Sequence, residues 1–344
     1  MQETDAEVRQ RMARLIGGYQ LSAAIGAVAR LGVADALATG PAQPRQLAAR
    51  VGADPPSLER VLRTLEDAGL FASLEDGRIA LTALGALLRS DVPGSARRGA
   101  IASTEEWRWR AYGHLTHSVR TGEPGFRRAH GCGLWEYLER EPDAAAMFNE
   151  SMSRVAAANA AALVRNYDFS RVQRLVDVGG GLGVLVRALL EANPQMRAVV
   201  FDLPGVIEGT RTNLAAAGLT DRCEAIAGDF FEAVPADGDA YVLSWILHDW
   251  DDRSAARILA NCHAAMRDGA TLLVIEMVIP AGDEPRSSPD LDRLVKASDL
   301  EMLAIVGGRE RTADEYRELY ACAGFELTRI LPLDSLPWSI LEGT

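Results

Sequence analysis

Five residues, Arg174-Leu-Val-Asp-Val178, read as a buried strand, and the strand stops in the cluster Gly179-Gly-Gly-Leu-Gly183. Val184–Ala192 then reads as a helix. No other stretch restricts the possible folds so strongly. A strand that stops in glycines and restarts as a helix lets backbone come very close to a bound nucleoside. The next apolar run, Ala198-Val-Val-Phe-Asp202, ends in a carboxylate. An acid at that strand tip can accept hydrogen bonds from ribose hydroxyls.

The glycine spacing narrows the ligand. The dinucleotide fingerprint G-x-G-x-x-G/A needs Gly or Ala at position 184, and Val184 stands there. A dinucleotide also needs its pyrophosphate on the helix N-terminus. Gly179, Gly180, Gly181 and Gly183 suit a nucleoside without phosphates, and S-adenosylmethionine is the candidate. A tight strand-to-helix turn with no ligand is the alternative at this point.

A chain of 344 residues suggests roughly two domains, and 48% hydrophobic residues can bury a sizeable core. Lys and Arg total 36 against 48 Asp and Glu, a net charge of −12. That balance disfavours nucleic acid, whose binding rests on basic side chains. Cys132, Cys223, Cys262 and Cys322 form no C-x-x-C pair and read as reduced thiols of a cytoplasmic protein. The acidic start has no apolar signal core, and no apolar run approaches membrane-spanning length.

Residues 1–95 read as a separate helical unit. Tyr19 to Leu37 carries Leu21, Ile25, Val28 and Leu31 at helical spacing. A short helix, Gln46–Val51, ends at Gly52. Asp54 caps the next helix, with Pro55 at its first position and an apolar stripe of Leu58, Val61, Leu62 and Leu65. Leu70–Ala72 and Arg78–Leu81 flank Asp76-Gly77, a hairpin signal. Helix, turn, helix, hairpin is a winged-helix pattern. Its use in DNA binding needs a basic second helix, but Ser57–Asp67 holds two arginines against three acids. A pairing module is the other reading, with the small-residue helix Ser22–Ala29 against a second copy.

Residues 96–165 read as a helical linker rich in aromatics and histidines, among them Trp107, Trp109, Tyr112, His130 and Trp135. These pack together or line a cavity for a flat organic ligand. His114 and His117 stand three apart, but no third metal ligand stands at a convincing spacing, so no metal is expected.

From residue 166 onward the pattern alternates strand and helix. Strands are expected at Leu175–Val178, Ala198–Asp202, Cys223–Ala227, Tyr241–Trp245 and Thr271–Met277, with helices such as Val206–Ala217 and Ser254–Met266 between them. Near-continuous apolar strands argue for a parallel sheet covered on both faces. Phe325–Leu331 and Trp338–Glu342 have too short a connection for a parallel crossover and should pair antiparallel. Ligands bind outside the carboxyl ends of such strands. Those ends supply Asp202, Asp229, Phe230, His248 and Glu276. Asp229 is placed to accept from an adenine amine, or else to cap a turn, and Phe230 to cover the ring. His248 is the candidate base, because an imidazole titrates near neutral pH. Glu276 is placed to orient it.

These words resemble the class II small-molecule O-methyltransferases, the plant caffeate and flavonoid enzymes and the bacterial polyketide-tailoring enzymes. The resemblance rests on Leu175-Val-Asp-Val-Gly-Gly-Gly-Leu-Gly183, Phe201-Asp-Leu-Pro204, Gly228-Asp-Phe-Phe231, Trp245-Ile-Leu-His-Asp-Trp250, Gly307-Gly-Arg-Glu-Arg-Thr312 and Pro337-Trp-Ser-Ile-Leu-Glu342. It implies an α/β fold. That is a Rossmann-like, mostly parallel seven-stranded sheet with a C-terminal antiparallel strand, behind an N-terminal winged-helix-like domain that makes a homodimer. It implies S-adenosylmethionine held by Arg154, Gly179, Gly181, Asp202, Leu203, Gly228, Asp229, Phe230 and Ser244. His248 becomes the base, flanked by Glu276 and Glu310. Phe148, Met152, Trp245, Asp249 and Met302 meet an aromatic acceptor, whose hydroxyl is methylated without a metal. A relative diverged to decarboxylation or hydroxylation, and a DNA-binding regulator, are the competing readings.

Overall fold

The computed structural model describes residues 4–280, 289–333 and 336–344. The chain divides into two units, Met1–Trp109 and Arg110–Thr344.

In the first unit Asp54 caps helix Pro55–Asp67 through Ser57 N at 3.0 Å, with prolines opening the helix. Leu58, Leu62 and Leu65 bury its stripe against Val28, Val33 and Leu47. Each such side chain contributes roughly 1.5–3 kcal/mol of burial. The hairpin joins β1 (Phe71–Ser73) to β2 (Ile79–Leu81), with Gly77 at φ +77° in the turn. The helix expected over Tyr19–Leu37 is broken. Gly18–Leu31 ends where Gly32 takes φ +68°, and a second piece, Val33–Ala36, follows. Periodicity continued across the break and concealed it.

The second unit is built on β3 (Arg174–Val178), β4 (Arg197–Asp202), β5 (Cys223–Ala227), β6 (Ala240–Ser244), β7 (Thr271–Ile279), β8 (Arg311–Thr312), β9 (Leu327–Pro332) and β10 (Trp338–Gly343). The sheet order is β5-β4-β3-β6-β7-β10-β9, and β8 pairs with the end of β7. β3 to β7 run parallel, whereas β10 lies antiparallel between β7 and β9. Successive strand residues face opposite sides. Leu175, Val200, Val242, Leu273 and Ile340 therefore feed one core, and Val176, Val199, Leu243, Leu272 and Leu341 the other. Both faces are covered, which is why these strands read as unbroken apolar runs. β9, at the edge, is half exposed and pairs Arg329 with Glu342 across the ladder at 2.7 Å. β7 runs two residues beyond the expected Met277, because Val278 and Ile279 find a partner in β8.

Candidate active site

At the tip of β3, Gly179, Gly181 and Gly183 all have positive φ, a conformation that L side chains rarely adopt. A Cβ on Gly179 would lie 2.3 Å from Ile246, whereas a Cβ on Gly181 would meet nothing within 4 Å. Gly179 is therefore pressed against the β6 turn, and Gly181 faces open space. Asp202, at the tip of β4, accepts from Gly181 N at 2.8 Å and from Leu203 N at 2.7 Å. Each carboxylate oxygen keeps a further lone pair. Burial raises the pKa of Asp202, and the two amides oppose that shift. Gly228 N donates to the Asp202 carbonyl, and Phe230 lies beside Gly179. Asp229 is exposed, and its Oδ1 accepts from Phe231 N at 2.8 Å, a turn-forming contact.

β6 ends at Ser244, and the chain then turns sharply. Trp245 has φ +61°, an outlier for a bulky residue that costs on the order of 1–3 kcal/mol. Glu276 on β7 offsets part of that cost. Its Oε1 faces the amides of Ile246, Leu247 and His248 at 3.0, 2.8 and 3.4 Å. The short helix Leu247–Asp249 so formed carries His248, which is only 3% exposed. Its Nδ1 meets Glu310 Oε1 at 3.0 Å and lies 3.5 Å from Glu276 Oε2. Glu310 is thus the hydrogen-bond partner of the imidazole, and Glu276 chiefly holds the turn that carries it. Nε2 is 3.6 Å from Asp249 Oδ1, beyond hydrogen-bond length. Trp245 sets its ring edge-on to His248, 5.4 Å between centroids.

Burial opposes charge on His248, but Glu276, Asp249 and Glu310 outweigh it and raise the imidazole to about 10. Burial likewise raises Glu276 and Asp249, with His248 pulling both down. A folded pKa above the unfolded value stabilises fully below about 6.5 and loses that contribution as pH rises through about 10. The urea midpoint should therefore fall between pH 7 and pH 9.5. A flat or rising midpoint would show that the imidazole is not held charged.

The remaining expected residues fall into place unevenly. Phe148 packs edge-on to Trp135, which stacks on Trp250, which meets Phe230 and Phe231. Met152 and Arg154 lie four and six residues further along the same helix, Pro142–Asn166, with Arg154 exposed. Met302 lies in helix Pro289–Ile305, where it accepts from Gly307 N. Leu203 is exposed at the mouth of β4. His248, Glu276 and Glu310 offer atoms within 4.8 Å of one another, a spacing that can also enclose a cation. Among the described residues His114 and His117 join no such group.

The profile of the O-methyltransferase domain matches residues 112–326, and that of the O-methyltransferase dimerisation domain matches residues 13–91. The first covers more than half of the chain. The chain belongs to the O-methyltransferase family. Its sequence is 42% identical to a phenazine O-methyltransferase of Lysobacter antibioticus, over 94% of this chain and 92% of that protein. It is 33% identical to the phenazine-1-carboxylate N-methyltransferase of Pseudomonas aeruginosa, over 97% and 96%. Its fold is similar to that of an O-methyltransferase from neocarzinostatin biosynthesis, solved with S-adenosylmethionine and 2-hydroxy-5-methyl naphthoic acid. The TM-score is 0.83, with 35% identity, over 94% and 95% of the two chains.

In this O-methyltransferase several site residues escaped the sequence reading. Ser298 donates to Glu310 Oε1 at 2.6 Å, and Asp299 accepts from Glu310 N at 3.0 Å. Asp177 is buried in β3, and burial raises its carboxyl to about 8. An acid in the middle of an apolar strand was the available signal for Asp177. Ser298 and Asp299 lie on the helix twelve and eleven residues before Glu310, and nothing in the spacing marked them. No described helix is long and apolar enough to cross a membrane.

Proposed function

We propose that this enzyme methylates a hydroxyl of an aromatic acceptor, with His248 taking the proton. The buried His248–Glu310 pair beside the glycine-lined tips of β3 and β4 carries this reading. The cofactor is S-adenosylmethionine. The residues present fit it, since Gly181 opens on free space and Asp202 keeps lone pairs for ribose hydroxyls. Phe230 and Asp229 flank the adenine position. When bound, S-adenosylmethionine supplies an electrophilic methyl carbon, and the acceptor oxygen is the nucleophile.

An imidazole that already holds its proton cannot accept another, so one proton leaves the site for solvent as the phenol binds. Phenol beside neutral imidazole and phenolate beside imidazolium hold equal numbers of protons. The surrounding carboxylates favour the second arrangement, so His248 draws the proton from the bound hydroxyl. A free phenol titrates near 10, matched to His248 at about 10. General-base transfer of this kind is worth about 10²–10⁴-fold. Nε2, which makes no hydrogen bond with Asp249, is the face offered to the acceptor. Glu310 holds Nδ1, and Trp245 packs beside the ring.

Incubation with S-adenosylmethionine and a panel of phenols and aryl amines, read by mass spectrometry, tests the reaction. A gain of one CH₂ on phenols is expected. Methylation confined to amines would move the enzyme to the N-methylating branch that its Pseudomonas relative represents. No product, with no cofactor binding by calorimetry, would refute the reading.

The first unit supports a homodimer. No residue of helix Asp5–Ile16 is buried, and Val8, Met12, Leu15 and Ile16 are 49%, 57%, 69% and 69% exposed. An apolar stripe of that kind calls for cover. An obligate interface above about 2,000 Å² is expected. Light scattering at micromolar concentration should give twice the chain mass; a monomer mass would overturn this.

A further inference from the structure

Among the described residues, Arg311 is the largest side chain fully withdrawn from solvent, and the chemistry described so far does not use it. Burying a guanidinium is costly unless its donors are satisfied. Here they are spent in one place. Nε donates to Asp252 Oδ1 at 2.8 Å, Nη1 to the Leu247 carbonyl at 3.0 Å and Nη2 to the Trp250 carbonyl at 2.8 Å. Leu247 and Trp250 bracket His248. One planar fork therefore grips the turn on both sides of the imidazole.

Its neighbours reach the same turn. A Cβ on Gly308 would lie 2.0 Å from the His248 carbonyl oxygen, so this segment runs directly against the turn. Arg309 N donates to that same carbonyl at 2.8 Å. Glu310 takes Nδ1 at 3.0 Å. Arg311 itself is anchored by β8 pairing to Val278, two residues beyond Glu276. Four consecutive residues thus follow the turn, and the guanidinium ties the two halves of the His248–Glu310 pair together.

We propose that Arg311 is a positioning residue for methyl transfer: its guanidinium fixes the His248 turn against the strand that carries Glu310, and so sets the orientation of the imidazole. The proposal rests on His248 being the proton acceptor. Lysine would keep the charge but not the two diverging donors that reach Leu247 and Trp250 together. Charge alone should therefore not restore function.

The test compares Arg311→Lys, Asp252→Asn and His248→Asn with the wild type, using an acceptor found in the panel. Asp252 is 63% exposed in its side chain, so Asp252→Asn loosens one anchor of the fork without opening the core. Arg311→Lys should keep its circular dichroism and its affinity for S-adenosylmethionine. Its kcat should fall about ten- to a hundredfold, the scale of a small misplacement of a catalytic group. KM for the acceptor should change less than kcat, and the pH profile of kcat should shift because the Nδ1–Glu310 contact has changed. Asp252→Asn should shift both in the same direction by less. A folded Arg311→Lys with wild-type kcat and pH profile would reduce Arg311 to a structural residue and overturn the proposal. If Arg311→Lys does not fold, an unchanged kcat and pH profile in Asp252→Asn overturns it. His248→Asn separates the two readings. Wild-type turnover there refutes the base, and a fall in Arg311→Lys would then have another cause, which also overturns the proposal.

Discussion

His248→Asn should lower turnover at neutral pH by about 10²–10⁴-fold, roughly 3–5 kcal/mol of barrier. Cofactor affinity should hardly change, because the imidazole is tied to Glu310 and the strand-tip glycines are not among its partners. Asparagine fills similar space, so the carboxylates lose their cation but not their cover. The deficit should shrink as pH approaches about 10, where a phenol ionises unaided. Steady-state rates from pH 6.5 to pH 10 read this directly. Full activity of the variant at neutral pH would mean that the enzyme works by proximity, or on an acceptor already ionised.

Asp202→Ala should weaken S-adenosylmethionine by roughly ten- to a hundredfold. Charge-assisted bonds to ribose hydroxyls are worth about 1.5–3 kcal/mol. The same carboxylate holds Gly181 N and Leu203 N, so the substitution also frees the loop that must meet the ligand. Calorimetry should show the loss with the circular dichroism unchanged. If affinity is retained in a folded variant, Asp202 serves only to tie β4 to the glycine loop.

The sheet was legible because its strands are buried on both faces and bounded by glycine or acid. Arg174–Val178 and, to within a residue, Arg197–Asp202 stand where the apolar runs placed them. The break at Gly32 was hidden, since apolar spacing persists on both sides and the left-handed residue leaves no trace in periodicity. Within the site, His248 and Glu276 were visible as polar residues at expected strand ends, although β7 runs on past Glu276 to Ile279. Their division of labour was not. Which carboxylate takes Nδ1 depends on how Gly307–Thr312 folds back on the turn, a contact across more than fifty residues. Ser298 and Asp299, twelve and eleven residues before Glu310, were invisible for another reason: a helix face gives no sign of which carboxylate or amide it will meet.

The strand order carries a consequence for synthesis. β7, which supplies Glu276, borders β6 on one side, but along its other edge it waits for β10, where Ser339 stands opposite Glu276. β10 follows the other described strands of this sheet in the chain. Until β10 pairs, β7 therefore presents an apolar, unpaired edge beside Glu276, a template for wrong partners. A complete β7 therefore waits on β10, and the interval before they pair is when this part of the sheet most needs protection.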